Sequence, residues 1–170
     1  MKILVAYFSH EGMNYVDGKI VPLSVGNTEI IAKKIAGLIS GDLFEIRTLE
    51  SYPYDYKECV KTAVSELKAD ARPALANTID VTPYDAVVLG YPNWCGTMPM
   101  PVKTFLCGAD LSGKVIVPFC SNEGSGMGVS EKDIAKLCPK AILKKGISIH
   151  GKDFDETALK NRLETIFPDK

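Results

Sequence analysis

The stretch Tyr84–Met100, YDAVVLGYPNWCGTMPM, constrains the fold more than any other part of the chain. Ala86-Val87-Val88-Leu89 is a short continuous apolar run that Gly90 and Pro92 are expected to end. A run of that length without polar alternation reads as a strand buried on both faces, the central strand of a parallel sheet. A loop with Asn93, Trp94, Cys95, Gly96, Thr97 and Met98 follows, and the next helix is expected to begin near Pro99 or Pro101. A lone tryptophan beside glycine and short polar groups, just past a central strand, stands where open α/β sheets bind ligands. The competing reading is an ordinary buried tryptophan in a connection.

The rest of the chain supplies the neighbours of that strand. Ile3–Phe8 is a second buried run, closed by Ser9-His10-Glu11-Gly12. A helix normally follows within a few residues, yet helical spacing starts only at Gly26-Asn27-Thr28. Between them, Met13 to Val25 reads as an inserted hairpin around Asp17-Gly18. Thr28–Ile39 carries Ile31, Ile35, Leu38 and Ile39 at helical spacing, with Asn27 or Thr28 suited to cap it and Gly41 to stop it. A strand over Leu43–Ile46 and a helix over Asp55–Arg72, ended by Pro73, come next.

Beyond the central strand, a helix runs through Val102, Phe105 and Leu106, and Val115–Cys120 is another buried strand. Ser130 with Asp133 resembles a capping box for a short helix through Ile134 and Leu137. Ile142–Ile149, broken by Lys144-Lys145-Gly146, is the last strand, with its lysines on a solvated edge. Asp155–Phe167 closes the series as a helix with Leu159, Leu163 and Ile166 on one face. Strict alternation of strand and helix implies a parallel sheet with helices on both faces.

At 170 residues the chain reads as one domain, long enough to bury roughly 70% of its unfolded surface. Its 20 basic and 21 acidic groups, net charge −1, argue against nucleic acid as a partner and give no polybasic signal for a membrane surface. The five cysteines are scattered and His10 and His150 lie far apart, so no metal-ligand spacing exists and no metal is expected. Scattered thiols, a first strand beginning at Ile3 and no apolar run near ~18 residues make a cytoplasmic protein the expectation.

Three loops are longer or richer than plain connections: Ser9–Thr28, Pro92–Met98 and Ser121–Gly128. They follow the first, third and fourth strands, all at the carboxyl edge of the sheet, and so form one site. The first supplies hydroxyl and amide groups at the start of a helix, where unpaired N–H groups favour an anion such as phosphate. An Asn-Thr pair there is also an ordinary helix start. No GxxxxGK[ST] pattern occurs, which disfavours triphosphate hydrolysis. No nucleophile–histidine pattern is present, so no catalytic residue is assigned. Cys95 and Cys120 are either reactive thiols or inert buried ones. A phospho-receiver needs carboxylates where this chain has Tyr7-Phe8-Ser9 and Gly90-Tyr91-Pro92. A phosphate cradle with an aromatic, glycine-bearing pair of loops suits a flat phosphorylated cofactor.

Taken together, YFS…GNT, GYPNWCGTMPM and CSNEGSGMG resemble the flavodoxins, within them a branch with an insertion in the first loop, and the likeness spans essentially the whole chain. The resemblance implies a flavodoxin-like doubly wound sandwich, a five-stranded parallel sheet of order 2-1-3-4-5 with helices on both faces; flavodoxin is itself the known example of that order with FMN at the switch point. It also implies that Ser9, Asn27 and Thr28 hold the FMN phosphate, with His10 and Gly26 in the same loop. Pro92 to Met98, with Asn93, Trp94, Cys95, Gly96 and Thr97 between them, would line one side of the isoalloxazine ring, and Ser121 to Ser125, with Glu123 and Gly124 among them, the other. The phosphate loop is split by the insertion, and Cys95 stands where the family often has tryptophan. Gly96 is expected to permit a peptide flip near flavin N5. The implied role is a one-electron carrier between partner proteins, a reductase and an acceptor. An FMN-dependent NAD(P)H or quinone oxidoreductase and a flavin-free binding protein are the other readings.

Overall fold

Period-two burial on both faces builds the centre of the molecule. The structure, a computed structural model, describes residues 1–152 and 154–168. Strands β1 (Ile3–Tyr7) and β5 (Ala86–Pro92) pair in parallel, Ile3 beside Ala86 and Tyr7 beside Gly90. Along β1, Ile3, Val5 and Tyr7 face one layer of core and Leu4 and Ala6 the other. The first layer packs against α1 (Asn27–Ile39) and α5 (Glu156–Ile166) through Ile31, Ile35, Leu159 and Leu163. The second packs against α3 (Met100–Gly108) and α4 (Ser130–Leu137) through Val102, Phe105, Leu106 and Ile134. Burying each such large apolar side chain stabilises the fold by roughly 1.5–3 kcal/mol.

The main sheet has the order β4-β1-β5-β6, with β7 and β8 both beyond β6 (Val115–Asn122). All pairs are parallel, including β4 (Asp42–Glu45) on β1. The fifth position is two short strands, β7 (Ile142–Leu143) and β8 (Ile147–His150). Counted by position the order is 2-1-3-4-5, as expected. The gap between β7 and β8 falls opposite Val117 and Pro118, and proline has no N–H for a ladder.

Several local expectations are corrected by contacts made at a distance. Gly90 does not cut the central strand short: β5 runs through it, with the Phe119 ring filling the space where a Gly90 Cβ would sit, and ends at Pro92. β6 likewise continues two residues past Cys120 to Asn122. Gly26, with extended backbone, is the residue preceding α1, so neither Asn27 nor Thr28 caps it; both lie inside the helix. Ser40, not Gly41, takes the left-handed turn at its end, with φ 49°. Helix α2 (Tyr56–Lys68) stops short of Arg72, which folds back to donate to Asp70 at 2.9 Å. Ser130 begins α4 rather than capping it: its hydroxyl accepts from Tyr91 at 2.9 Å and donates to the Met127 carbonyl at 2.6 Å.

Between β1 and α1 the chain forms a separate two-stranded sheet, β2 (Gly12–Val16) with β3 (Lys19–Leu23). Asp17 (φ 48°) and Gly18 (φ 79°) make its two-residue turn, both in the left-handed region such hairpins need. Met13 N–H donates to the Tyr54 carbonyl at 2.9 Å, tying the hairpin to the chain entering α2.

Candidate functional site

Parallel strands all end on the same edge, so β1, β5 and β6 deliver their loops to one place. There they enclose a cavity of about 480 Å³, within the range of roughly 300–1,000 Å³ usual for small-molecule sites. Of the residues expected from sequence, Ser9, His10, Asn27, Thr28, Pro92, Asn93, Trp94, Cys95, Ser121, Asn122, Glu123 and Ser125 line it. Gly26, Gly96, Thr97 and Gly124 do not line it but shape the loops around it, and Met98 is buried in the core instead.

At one end lies the start of α1. Gly26 carries no side-chain cap, and Ser9 supplies one from the other side of the hairpin, its Oγ accepting the Glu29 N–H at 3.2 Å. A Cβ on Gly26 would overlap Ser9 Oγ, so the split loop closes tightly only with glycine there. The N–H groups of Asn27 and Thr28 precede any intrahelical acceptor. Thr28 Oγ1 and Ser121 Oγ share a hydrogen bond of 2.7 Å, which fixes this helix end to the end of β6. Among the described residues lining the cavity, none is lysine or arginine. An anion here meets N–H dipoles and hydroxyls, not a fixed positive charge.

The wall opposite is aromatic. Trp94 packs edge-to-face with Tyr52 at 5.0 Å, Phe8 at 5.4 Å and His10 at 5.6 Å between ring centroids. Tyr52 is held from behind by a 2.6 Å hydrogen bond from its hydroxyl to Glu66. Burial raises the Tyr52 hydroxyl far above its ordinary range, and that hydrogen bond adds to the shift. Burial also lowers the pKa of His10, only partly offset by Glu11. Its Nε2 is buried and, among the described residues, has no hydrogen-bond partner.

Trp94 and Thr97 exchange backbone hydrogen bonds of 2.9 and 3.1 Å, closing a tight turn over Cys95 (φ 55°) and Gly96 (φ 81°). Both polar groups of Gly96 are engaged: its N–H donates to Asn93 Oδ1 at 3.0 Å and its carbonyl accepts from Val129 at 2.8 Å. Rotating the Gly96–Thr97 peptide would break the Val129 bond and the Thr97–Trp94 bond. Rotating the Cys95–Gly96 peptide breaks only the contact with Asn93. Thr97 is buried and donates to Asp133 at 2.6 Å, so it anchors the turn. Asn93 Nδ2 donates to the Gly126 carbonyl at 2.9 Å and joins this turn to the loop after β6.

Cys95 is exposed at the rim, and partial burial of its thiol raises its pKa; Cys59, also lining the cavity, is pushed up to about 11, mainly by burial. Cys120 is buried under the site and pushed up to about 12 by burial, so it is an inert thiol. None of these is a thiolate at neutral pH.

Sequence reasoning did not single out Met13, Asn14 and Tyr15 from the hairpin or Tyr56, Cys59, Val60 and Ala63 from α2. The Asp-Gly turn signalled the hairpin; which of its residues face the cavity follows from packing. Asn122 reads as one more loop polar group, yet its Oδ1 accepts from both Gly124 and Gly126 at 3.0 Å and shapes the whole loop.

The sequence profile of the flavodoxin family matches residues 2–166. Among curated proteins none matches. In structure the chain is similar to a candidate flavoprotein of Bacteroides eggerthii, 29% identical with a TM-score of 0.80 over 99% of each chain. It shares its fold with a flavoprotein of Lactobacillus acidophilus crystallised with FMN, 19% identical with a TM-score of 0.65 over 88% of this chain and 93% of that one. It also shares the fold of flavodoxin 2 from Bacillus cereus, 19% identical with a TM-score of 0.55 over 99% of each. With three loops converging on one cavity at the sheet's carboxyl edge, and the family profile spanning nearly every residue, this chain belongs to the flavodoxin family.

Proposed function

We propose that this protein binds FMN and carries electrons one at a time between partner proteins, a reductase and an acceptor. The observation that carries the reading is the cavity itself, with an anion cradle at the start of α1 and an aromatic wall at Trp94. Its donor set fits the cofactor. Ser9, Thr28 and the first N–H groups of α1 suit a phosphate, and the Gly26 loop leaves no room for a Cβ. His10 Nε2, buried and unpartnered, offers a further polar contact to a molecule in the cavity.

Bound there, FMN supplies one-electron redox chemistry, and the protein supplies binding and electrostatics. The aromatic wall excludes water from one side of the site, and the Glu123 carboxylate adds negative charge at its rim. Both disfavour further negative charge on a reduced ring. Each ~1.4 kcal/mol of such disfavour lowers a one-electron potential by about 59 mV. The loop from Asn93 to Thr97, held by Val129, Asn93 and Asp133, would orient the ring edge. Five free cysteines accord with a reducing compartment such as the cytoplasm, and no helix among the described residues is long and apolar enough to cross a membrane.

The test is a slow anaerobic reductive titration of the purified protein with added FMN, followed by NADPH. Two resolved one-electron steps and no direct bleaching by NADPH are the expected result. Fast two-electron bleaching by NADPH replaces the carrier with an oxidoreductase. A chain that stays colourless with excess FMN overturns the flavin reading.

A further inference from the structure

At the rim of the cavity three side chains from distant segments converge. Asp17 lies in the turn of the β2–β3 hairpin, Glu123 in the loop after β6, and His150 at the end of β8. One donor atom from each lies within 4.8 Å of the others. His150 Nε2 stands 3.5 Å from Glu123 Oε2, and the Asp17 N–H donates to that same oxygen at 3.0 Å. The Glu123 side chain is only 15% exposed, and among the described residues neither it nor Asp17 pairs with a lysine or arginine. Two carboxylates at this spacing repel each other, more so where solvent is partly excluded. Among the described residues no lysine or arginine neutralises this cluster.

The backbone that carries two of the three groups is held in place beforehand. His150 sits in register beside Asn122, the residue before Glu123, and Gly151 N–H donates to the Asn122 carbonyl at 2.9 Å. Asn122 Nδ2 bonds Ser148 Oγ at 2.9 Å, so the end of β8 and the start of the loop move as one. The third group rides on an exposed hairpin turn and has freedom to adjust.

One imidazole nitrogen with two carboxylates is a mixed N/O set of the kind that suits borderline divalent transition ions such as Zn²⁺. Calcium and magnesium favour oxygen alone. Donors at ~2.0–2.1 Å from a tetrahedral ion stand about 3.3 Å apart. The His150–Glu123 separation of 3.5 Å nearly meets this, and a small movement of the turn brings in Asp17. We propose that Asp17, Glu123 and His150 bind a divalent transition-metal ion, water completing its shell, and that the ion pins the hairpin across the mouth of the cavity. Met13, Asn14 and Tyr15 of the hairpin line the cavity together with Glu123, so pinning retards the exit of a bound molecule. This last consequence rests on the flavin reading; the metal site itself does not.

The test uses the full-length chain without an affinity tag. Calorimetric titration of the flavin-free protein with Zn²⁺ is expected to give one site per chain, weakened at least tenfold in Asp17→Asn and in His150→Ala. Asparagine keeps the turn, since it tolerates positive φ. With Co²⁺ the spectrum is expected to be that of nitrogen and oxygen ligands. No saturable binding, binding that survives either substitution, or a thiolate-to-cobalt charge-transfer band each overturns the site. In the second arm, saturating Zn²⁺ is expected to slow FMN dissociation at least threefold in the wild type and leave His150→Ala unchanged. An unaltered rate in the wild type overturns the pinning. A chain that binds the ion but not FMN keeps the site and removes both the pinning and the flavin reading.

Discussion

Val129 donates its N–H to the Gly96 carbonyl at 2.8 Å, and Gly128 lies so close to that oxygen that a Cβ would overlap it. The contact fastens the turn after β5 to the loop after β6, two loops that both contribute residues to the cavity lining. Gly126, in the same loop, has open space around it. Both glycines have positive φ, 66° at Gly126 and 55° at Gly128. Alanine at either position therefore suffers left-handed strain of roughly 1–2 kcal/mol. Gly128→Ala is expected to lose about 1 kcal/mol more than Gly126→Ala, because backbone rather than a flexible side chain must yield. Urea unfolding of the two variants measures the difference; equal losses would remove the packing role of Gly128.

Cys95 holds a left-handed φ of 55° without being glycine. Asparagine tolerates that geometry better, and Asn-Gly is the favoured pair for a turn with both central residues at positive φ. Cys95→Asn is expected to stabilise the protein by about 1 kcal/mol, raising Tm by about 2–4 °C for a chain of this size. A fall in Tm would show that the thiol's contacts outweigh the backbone strain.

Ser9 caps α1 from outside the helix. Ser9→Ala should cost about 1 kcal/mol of stability, the usual loss of a cap. If the cap oxygen also contacts phosphate, FMN affinity falls roughly tenfold or more while riboflavin affinity stays, because a hydrogen bond to a charged group is worth about 1.5–3 kcal/mol. Parallel fluorescence titrations with the two flavins separate these effects; equal losses for both would place the phosphate elsewhere.

The lowered pKa of His10 gives stability a definite slope with pH. Below the unfolded value of ~6.5 the unfolded chain binds the proton and the folded chain does not. Stability therefore falls as pH drops from that value towards the folded one, and is regained on return. Glu45 and Glu66, raised chiefly by burial, act in the opposite sense at lower pH. The difference between wild type and His10→Gln isolates the histidine. That difference is expected to change through the range just below pH 6.5, in chemical unfolding measured without flavin. A pH-independent difference would mean that His10 protonates freely in the folded state.

Much of the architecture is legible because burial leaves a local signature. The apolar runs at Ile3–Phe8 and Ala86–Leu89 and the helical spacing of Ile31, Ile35 and Ile39 needed no distant partner to be read. Strand and helix alternate, and parallel strands end on one edge, so three loops far apart in sequence were bound to meet. Most of the expected site residues, from Ser9 to Ser125, line the cavity for that reason.

What stayed hidden depends on groups that meet across the fold. Gly90 continues its strand because Phe119 covers it, and Ser9, not Asn27 or Thr28, caps α1 because the hairpin lets the chain return. Glu123 and Asp17 are 106 residues apart, yet one accepts a hydrogen bond from the other. The side walls from α2 and the hairpin follow from packing in the same way. By itself the sequence determined the layers, the strand order its family shares and the edge where the site lies, since periodicity and chain direction are properties of neighbouring residues. Tertiary structure alone decided the walls, the caps and the cluster at the rim, since these are set by the distances that packing leaves between segments the chain does not join.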